Sequence, residues 1–334
     1  MHVDTAILST PSGQGVRLVA LGFLEDAHEA GAKLAQSHDP EALHDFRVAV
    51  RRVRSWIRAF NEELADSVKK KDRRRLREVA RATNRGRDTD VQLAWLAEAA
   101  KGFRRKRRQG ADWLAAFLRS RQQTAGDQAH ASLVESFEQA RAALVDGLST
   151  YEQRVELPHA GRTLASAIAD RVMPHAADLA LKLAAVHTVH DEIQAHEARI
   201  AAKRLRYLIE PATDSVDDGR KILSTLKSLQ DELGALHDAH VMGHELAHAL
   251  EISAATEAHQ ATAEALGHPT DNGSGDARLL LAAPRDGLLA LAKRVRGDAR
   301  DAFKRVHDDW LDGRITEFEE QLAKFTQRLA ALHE

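Results

Sequence analysis

Apolar residues recur every three or four positions through almost the whole of this chain, and no stretch alternates with a period of two. That spacing gathers apolar side chains on one face of an α-helix and leaves nothing to build a half-buried strand. The expected fold class is all-α. The spacing predicts helices over 16–37, 40–64, 66–85, 88–108 and 111–149. A second set runs over 162–186, 189–210, 216–235, 238–265 and 285–331, the last broken near Gly297 or His307. Asp39, Pro40 and Glu41 supply an N-cap, a first-turn proline and a favourable acid. Pro211 stops the helix that precedes it. Residues 266–276 (LGHPTDNGSGD) read as a flexible loop, and 150–161 as the boundary between two halves. The division is then a tail over 1–15, a first helical bundle over 16–150 and a second over 160–334.

One charged segment occurs twice. His44, Arg47, Arg51, Arg52 and Arg54 return 152 positions later as His196, Arg199, Lys203, Arg204 and Arg206. The echo continues downstream at an offset of 150. Lys70-Lys71, Leu76, Arg77, Val79, Arg87-Asp88 and Val91 match Arg220-Lys221, Leu226, Lys227, Leu229, His237-Asp238 and Val241. Two copies are too few for a solenoid. Two similar four-helix-bundle-like halves, related by a pseudo-twofold internal repeat, are the simpler expectation.

What repeats is a face of charge. On a helical wheel His44, Arg47, Arg51, Arg54 and Arg58 fall in an arc of roughly 80°. Phe46, Val50, Val53, Ile57 and Phe60 form a separate arc, which explains how the helix docks and leaves the basic row unexplained. In the second copy His196, Arg199, Lys203 and Arg206 share an arc, with Ala198, Ala202, Leu205 and Ile209 as the docking stripe. Lys70, Arg74, Arg77 and Arg81 make a third basic stripe. Cations along such rows recur about every 5 Å, from a rise of about 1.5 Å per residue. Self-repulsion destabilises such rows unless a counter-anion occupies them. A single solvated stripe is unremarkable; three, two of them copies, point to a bound anion.

The whole chain hides this asymmetry. Its formal net charge is −2, yet residues 44–108 carry 21 Lys or Arg against 9 Asp or Glu. Arginine suits phosphate, because its planar fork stays charged and pairs bidentately with the oxygens. Histidine beside a phosphate gains proton affinity, which adds a pH-dependent charge. No glycine-rich phosphate loop is present, so a single nucleotide is not expected. Single-strand binders need exposed aromatics for stacking, and only Trp56, Phe60 and Tyr207 lie near the rows. Readers of duplex DNA interleave Asn, Gln or Ser, where these helices offer Ala and Val. A long polymer of bare phosphate fits best.

At these residues the sequence resembles the CHAD family, the conserved-histidine α-helical domain. His44 to Arg54 and His196 to Arg206 match its doubled His-x-x-Arg motif. Arg87, Asp88, Asp90 and Val91 match its first-half RDxDV, and Leu233, Gly234 and Asp238 its second-half LGxxxD. The resemblance spans about residues 16–331. It implies two four-helix bundles related by a pseudo-twofold and forming one CHAD-like unit, with basic surfaces toward a central groove or pore. It implies binding of inorganic polyphosphate and residence on polyphosphate granules. Two positions depart from the pattern. Glu210 stands where the first copy has Arg58, and Asn84 replaces a usual glycine. The ExExK signature of the attached triphosphate-tunnel enzyme is absent.

The expectation is a non-enzymatic polyphosphate-binding protein without a cofactor. Its site residues are His44, Arg47, Arg51, Arg52, Arg54, Arg58, Lys70, Arg74, Arg77 and Arg81. The second copy adds His196, Arg199, Lys203, Arg204, Arg206 and Lys227. Its partners are inorganic polyphosphate and other granule-associated proteins, with a general polyanion or nucleic acid ranked second. There is no signal peptide, no membrane span and no cysteine, so a cytoplasmic protein on granules is expected. His244, Glu245 and His248 spell HExxH, which on a helix sets two imidazoles one turn apart for zinc. The metzincin extension fails at Ala254, and peptidase ranks last. A metal stripe over His237, His240, His244 and His248 ranks above it and below a plain polar helix face. The run Lys101–Arg108 (KGFRRKRR) is either an anionic-partner patch or a helix C-terminus favoured by its dipole and closed by Gly110.

Overall fold

The computed structural model describes residues 4–36, 40–122, 127–150, 162–267 and 285–333, without the side chains of 40, 84–88, 121, 122, 127–130 and 333. The boundary expected at 150–161, most of the loop at 266–276, Asp39, and the side chains of Asn84, Arg87 and Asp88 lie outside the described residues.

The fold is all-α. Among the described residues it has twelve α-helices and no strand. They are α1 (Thr5–Leu8), α2 (Ser12–Gln36), α3 (Pro40–Ala59), α4 (Lys70–Ala82), α5 (Asn84–Ala99) and α6 (Arg105–Gln122). Then follow α7 (Asp127–Ser149), α8 (Leu164–Ala184), α9 (Glu192–Ile209), α10 (Gly219–Ala265), α11 (Arg285–Val306) and α12 (Arg314–Ala330). They form two compact units that interleave along the chain. The first takes Met1–Arg87, Asp127–Leu233 and Arg305–Glu334, and the second Asp88–Gly126 and Gly234–Lys304. Each sequence half therefore contributes to both units.

In the first unit α2 packs against α3, α7 and α8, while α3 meets α4 and α9. Helix α8 lies against α9 and α12. The docking stripes behave as their spacing dictates. Phe46, Val50, Val53, Ile57 and Phe60 are buried, as are Ala198, Ala202, Leu205 and Ile209. Trp56 packs edge-on to Phe23, with centroids 5.8 Å apart, and donates Nε1–H to the Val16 carbonyl at 2.9 Å. Fully burying one such aromatic stabilises by about 2–3 kcal/mol. Residues 4–15, expected as a tail, are ordered: Leu8 is fully buried, and Pro11 bridges Thr163. The Leu164 amide donates to the Thr10 carbonyl, and the Ser12 amide to that of Arg162. Gly147 lets the turn before α4 come close, since a Cβ there would lie 2.2 Å from the Ser67 carbonyl oxygen.

Several helix boundaries differ from the spacing. Helix α5 ends at Ala99, because Lys101 and a left-handed Gly102 (φ 80°) close it. The cations Arg105–Arg108 consequently open α6 rather than ending a helix. Gly110 lies within α6, where its Cα would sit 2.8 Å from a Cβ on Gly287 of α11, so it serves close helix packing within the second unit. Helix α10 runs unbroken through Leu236 and His237, where two helices were expected. The last predicted helix does break at His307. A π-helical segment covers His307–Leu311, and Gly313 follows at φ 100°. Gly297 stays helical.

Candidate functional site

All sixteen residues of the expected site belong to the first unit. Helix α3 carries His44, Arg47, Arg51, Arg52, Arg54 and Arg58; α4 carries Lys70, Arg74, Arg77 and Arg81; α9 carries His196, Arg199, Lys203, Arg204 and Arg206. Lys227 is exposed on α10.

Arg54 marks where the rows converge. Burial, then the charges of Arg77, Arg51, Arg81 and Arg58 in that order, hold its guanidinium below the ordinary arginine value. Arginine remains protonated regardless, so the lowered value reflects burial first and then repulsion both within α3 and between α3 and α4. Arg58 extends the field to α9. Burial and then the Arg58 charge lower Arg204, with Asp178 opposing. At the start of α9, burial followed by Arg199 and Lys203 keeps His196 below the usual histidine range, against the pull of Glu197. Helices α4, α3 and α9 thus present one connected set of cations. Arg74 is exposed and 3.6 Å from Glu78, a solvated pair that contributes little.

Arg52 is placed differently. It points off the arc of its neighbours, and its Nη2 donates to Glu210 Oε1 at 2.5 Å. Glu210, the departure in the second copy, is thus the carboxylate that engages α3. Arg206 lies 4.7 Å from the centroid of the Tyr207 ring. Trp56, Phe60 and Tyr207 are each 1 % exposed or less, so none is a stacking platform for a base.

Helix α8 supplies residues that the motif did not indicate. Arg171 donates Nη2 to both carboxylate oxygens of Glu63, at 2.6 and 2.9 Å, and Nε to the Ala59 carbonyl at 2.9 Å. Its guanidinium lies 4.6 Å over the Phe60 ring. It therefore ties off the end of α3, next to Arg58, and is itself fully engaged. One turn on, His175 Nδ1 lies 2.8 Å from the Arg171 carbonyl and must donate to it. Burial holds His175 below the usual histidine value; the bond to Arg171 and Asp178 oppose this, while Arg204 and Arg171 reinforce it. The only sequence signal for these residues is an Arg and a His one helical turn apart, outside any repeat.

In the second unit Lys101, Arg104, Arg105, Lys106, Arg107 and Arg108 are exposed. Lys101 pairs with Glu98, and Arg108 lies 3.3 Å from Asp112. At the start of α6 they face the unfavourable end of the helix dipole. The HExxH residues lie on α10, with the His248 ring 6.0 Å from that of Phe117. No group of three or more His, Asp or Glu among the described residues is arranged to hold a metal ion. No helix among them is long and apolar enough to cross a membrane.

Fold and site together define an all-helical protein in which cations of three helices act on one another, above a core that buries Trp56, Phe60 and Tyr207. The chain belongs to the CHAD family: the CHAD domain model matches residues 23–247. Among solved structures it is similar to the CHAD domain from the plant Ricinus communis, at 20 % identity and a TM-score of 0.62. That match covers 92 % of this chain and 94 % of the other. It is also similar to PptA from Streptomyces chartreusis, at 18 % identity and a TM-score of 0.48, covering 88 % of this chain and all of that one. No curated protein matches it.

Proposed function

We propose that this protein binds inorganic polyphosphate along the cationic face of α4, α3 and α9, without chemical turnover. The observation that carries the reading is the convergence on Arg54: four further arginines repel it, and no aromatic among the described residues is exposed beside them. A polymer of phosphate relieves that repulsion at every unit and asks for nothing that reads a base. CHAD membership is consistent with this ligand. A protein that holds long polyphosphate collects where the polymer is stored, so cytoplasmic granules and their other proteins complete the proposal.

Calorimetric titration with polyphosphate of several chain lengths, repeated across salt concentrations, tests it. Affinity should rise with length and fall steeply with salt. Arg47→Glu with Arg51→Glu should abolish binding while helicity persists. Binding that ignores both length and salt would sink the reading. Equal affinity for mixed-sequence nucleic acid would replace it with a general polyanion binder.

A further inference from the structure

The cationic face of the first unit leaves the run Lys101–Arg108 of the second unit without a role. Its cations end no helix. Arg105 to Arg108 open α6, where the dipole disfavours positive charge. Every cation of the run is exposed, and Lys101 and Arg108 alone among them lie near an acid of the described residues, Glu98 and Asp112. Beside the run begins a row that no motif announced. On α11, Arg285, Lys293, Arg296 and Arg300 fall in an arc of roughly 80°, and all four are exposed. Another side of the helix buries Leu288, Leu291, Val295 and Ala299. Asp298 does not serve the row: it accepts from Trp95 Nε1 at 2.9 Å and pairs with Arg294 at 3.1 Å, off the arc. Asp286 and Asp301 also lie outside it. The two sets of cations adjoin. A Cβ on Gly287 would lie 2.5 Å from the Arg107 carbonyl oxygen, so Arg285 enters α11 where Arg107 enters α6.

We propose that this surface of the second unit, Arg104–Arg108 together with the α11 row, docks on an anionic lipid surface. Leu289 decides between lipid and other polyanions. It lies inside the cationic arc and is 41 % exposed. Phe103, half-buried, leads into the α6 cations. A phosphate polymer or a nucleic-acid backbone would set its charges against that leucine and gain nothing from it. A bilayer interface takes both kinds of side chain. Its anionic headgroups accept the guanidinium and ammonium groups, and the acyl boundary takes the apolar ones. Arginine and lysine suit such a boundary, because their stems lie along apolar surface while their heads stay with the headgroups. The row is also straight. Arg285 to Arg300 spans about 22 Å at a rise of about 1.5 Å per residue, which can lie along a plane, whereas the phosphates of a duplex wind away from a straight line. The attachment is peripheral, since no helix among the described residues is long and apolar enough to cross a membrane. Charge supplies most of it, so it is reversible and sensitive to salt. It does not depend on the polyphosphate reading, whose residues lie in the first unit.

The test is cosedimentation of the full-length protein with vesicles of phosphatidylcholine, with and without phosphatidylserine, across salt concentrations. Binding should require phosphatidylserine and fall as salt rises. Lys293→Gln and Arg296→Gln should each weaken it about fivefold, the effect of one cation near an anionic bilayer. Arg105→Gln and Lys106→Gln should do the same from the α6 side. Leu289→Ser should also weaken binding but leave its salt dependence unchanged, because no charge is lost. The Lys293 and Arg296 variants should titrate with polyphosphate as the wild type does. Equal binding to both kinds of vesicle, or to neither, would overturn the proposal. So would wild-type binding by Leu289→Ser, which would show a surface indifferent to the acyl boundary. Loss of polyphosphate or duplex nucleic-acid binding in the Lys293 and Arg296 variants, with vesicle binding intact, would assign the row to a soluble polymer instead. Unchanged circular dichroism in each variant separates these results from misfolding.

Discussion

Glu63 and Arg171 hold the end of α3, and breaking them from either side should reveal how tightly. Arg171 makes two bonds to the Glu63 carboxylate and lies at 16 % side-chain exposure, Glu63 at 12 %. Breaking a buried ion pair from one side costs about 3–5 kcal/mol, and a surface pair about 0–1. This pair lies between, nearer the buried limit, so Glu63→Gln should cost about 2–3 kcal/mol. The guanidinium it leaves behind keeps the Ala59 and Ala167 carbonyls but loses its counter-charge. At about 2 °C per kcal/mol for a chain of this size, melting should fall by about 4–6 °C. Arg171→Met leaves Glu63 buried and unpaired, and should cost a similar amount. The double variant should recover about 2 kcal/mol of the summed loss, since neither charge is then stranded. Circular dichroism during urea unfolding gives the three values. Single variants within about 0.5 kcal/mol of wild type, or additive ones, would refute the claim that this pair anchors α3. Because Arg171 touches no phosphate in the proposed site, its loss should weaken polyphosphate binding while leaving the salt slope unchanged.

Further outcomes follow from other groups. His175 and His196 are held below the ordinary histidine value in the folded chain. Their unfolded forms bind protons first as pH falls, so stability should be full above about pH 6.5 and decline below it. Polyphosphate should oppose that decline and take up protons on binding, which calorimetry in buffers of different ionisation enthalpy will read. Glu232 is raised by burial and then by Asp309, so its ionised form destabilises the fold. Glu232→Gln should accordingly raise the melting temperature at pH 7 and give no gain below about pH 4. Gly147→Ala should cost about 1–3 kcal/mol, because its Cβ would collide with the Ser67 carbonyl. Gly234→Ala in α10, with nothing within 4 Å, should stabilise by about 0.5–1 kcal/mol in the same unfolding assay.

The sequence disclosed most where one physical demand acted alone. The stripes from Phe46 to Phe60 and from Ala198 to Ile209 are buried because periodicity answers only to packing. The cationic rows were legible for the same reason, since their arc is distinct from the docking arc. Where two demands competed, the reading went astray. Gly110 looked able to end a helix, yet Gly102 is the stop, and tertiary packing against Gly287 is what marks Gly110 as a packing glycine. Glu210 read as a gap in a basic row, because nothing local says that α9 brings it to Arg52. Arg171 and His175 carry no motif at all. Their place beside Arg58 and Arg204 comes from α8 packing on α9, a contact between segments that share no pattern.

Helix α3 divides its labour by angle: one side is spent on Phe46, Val50, Val53, Ile57 and Phe60, and another on cations. Substitutions on the charged side leave the core untouched, so charge number can drift or be redesigned one residue at a time without loss of the scaffold. The exchange between Arg58 and Glu210 is such a step. Under the proposed function, avidity for the anion is adjustable in this architecture separately from the ability to fold.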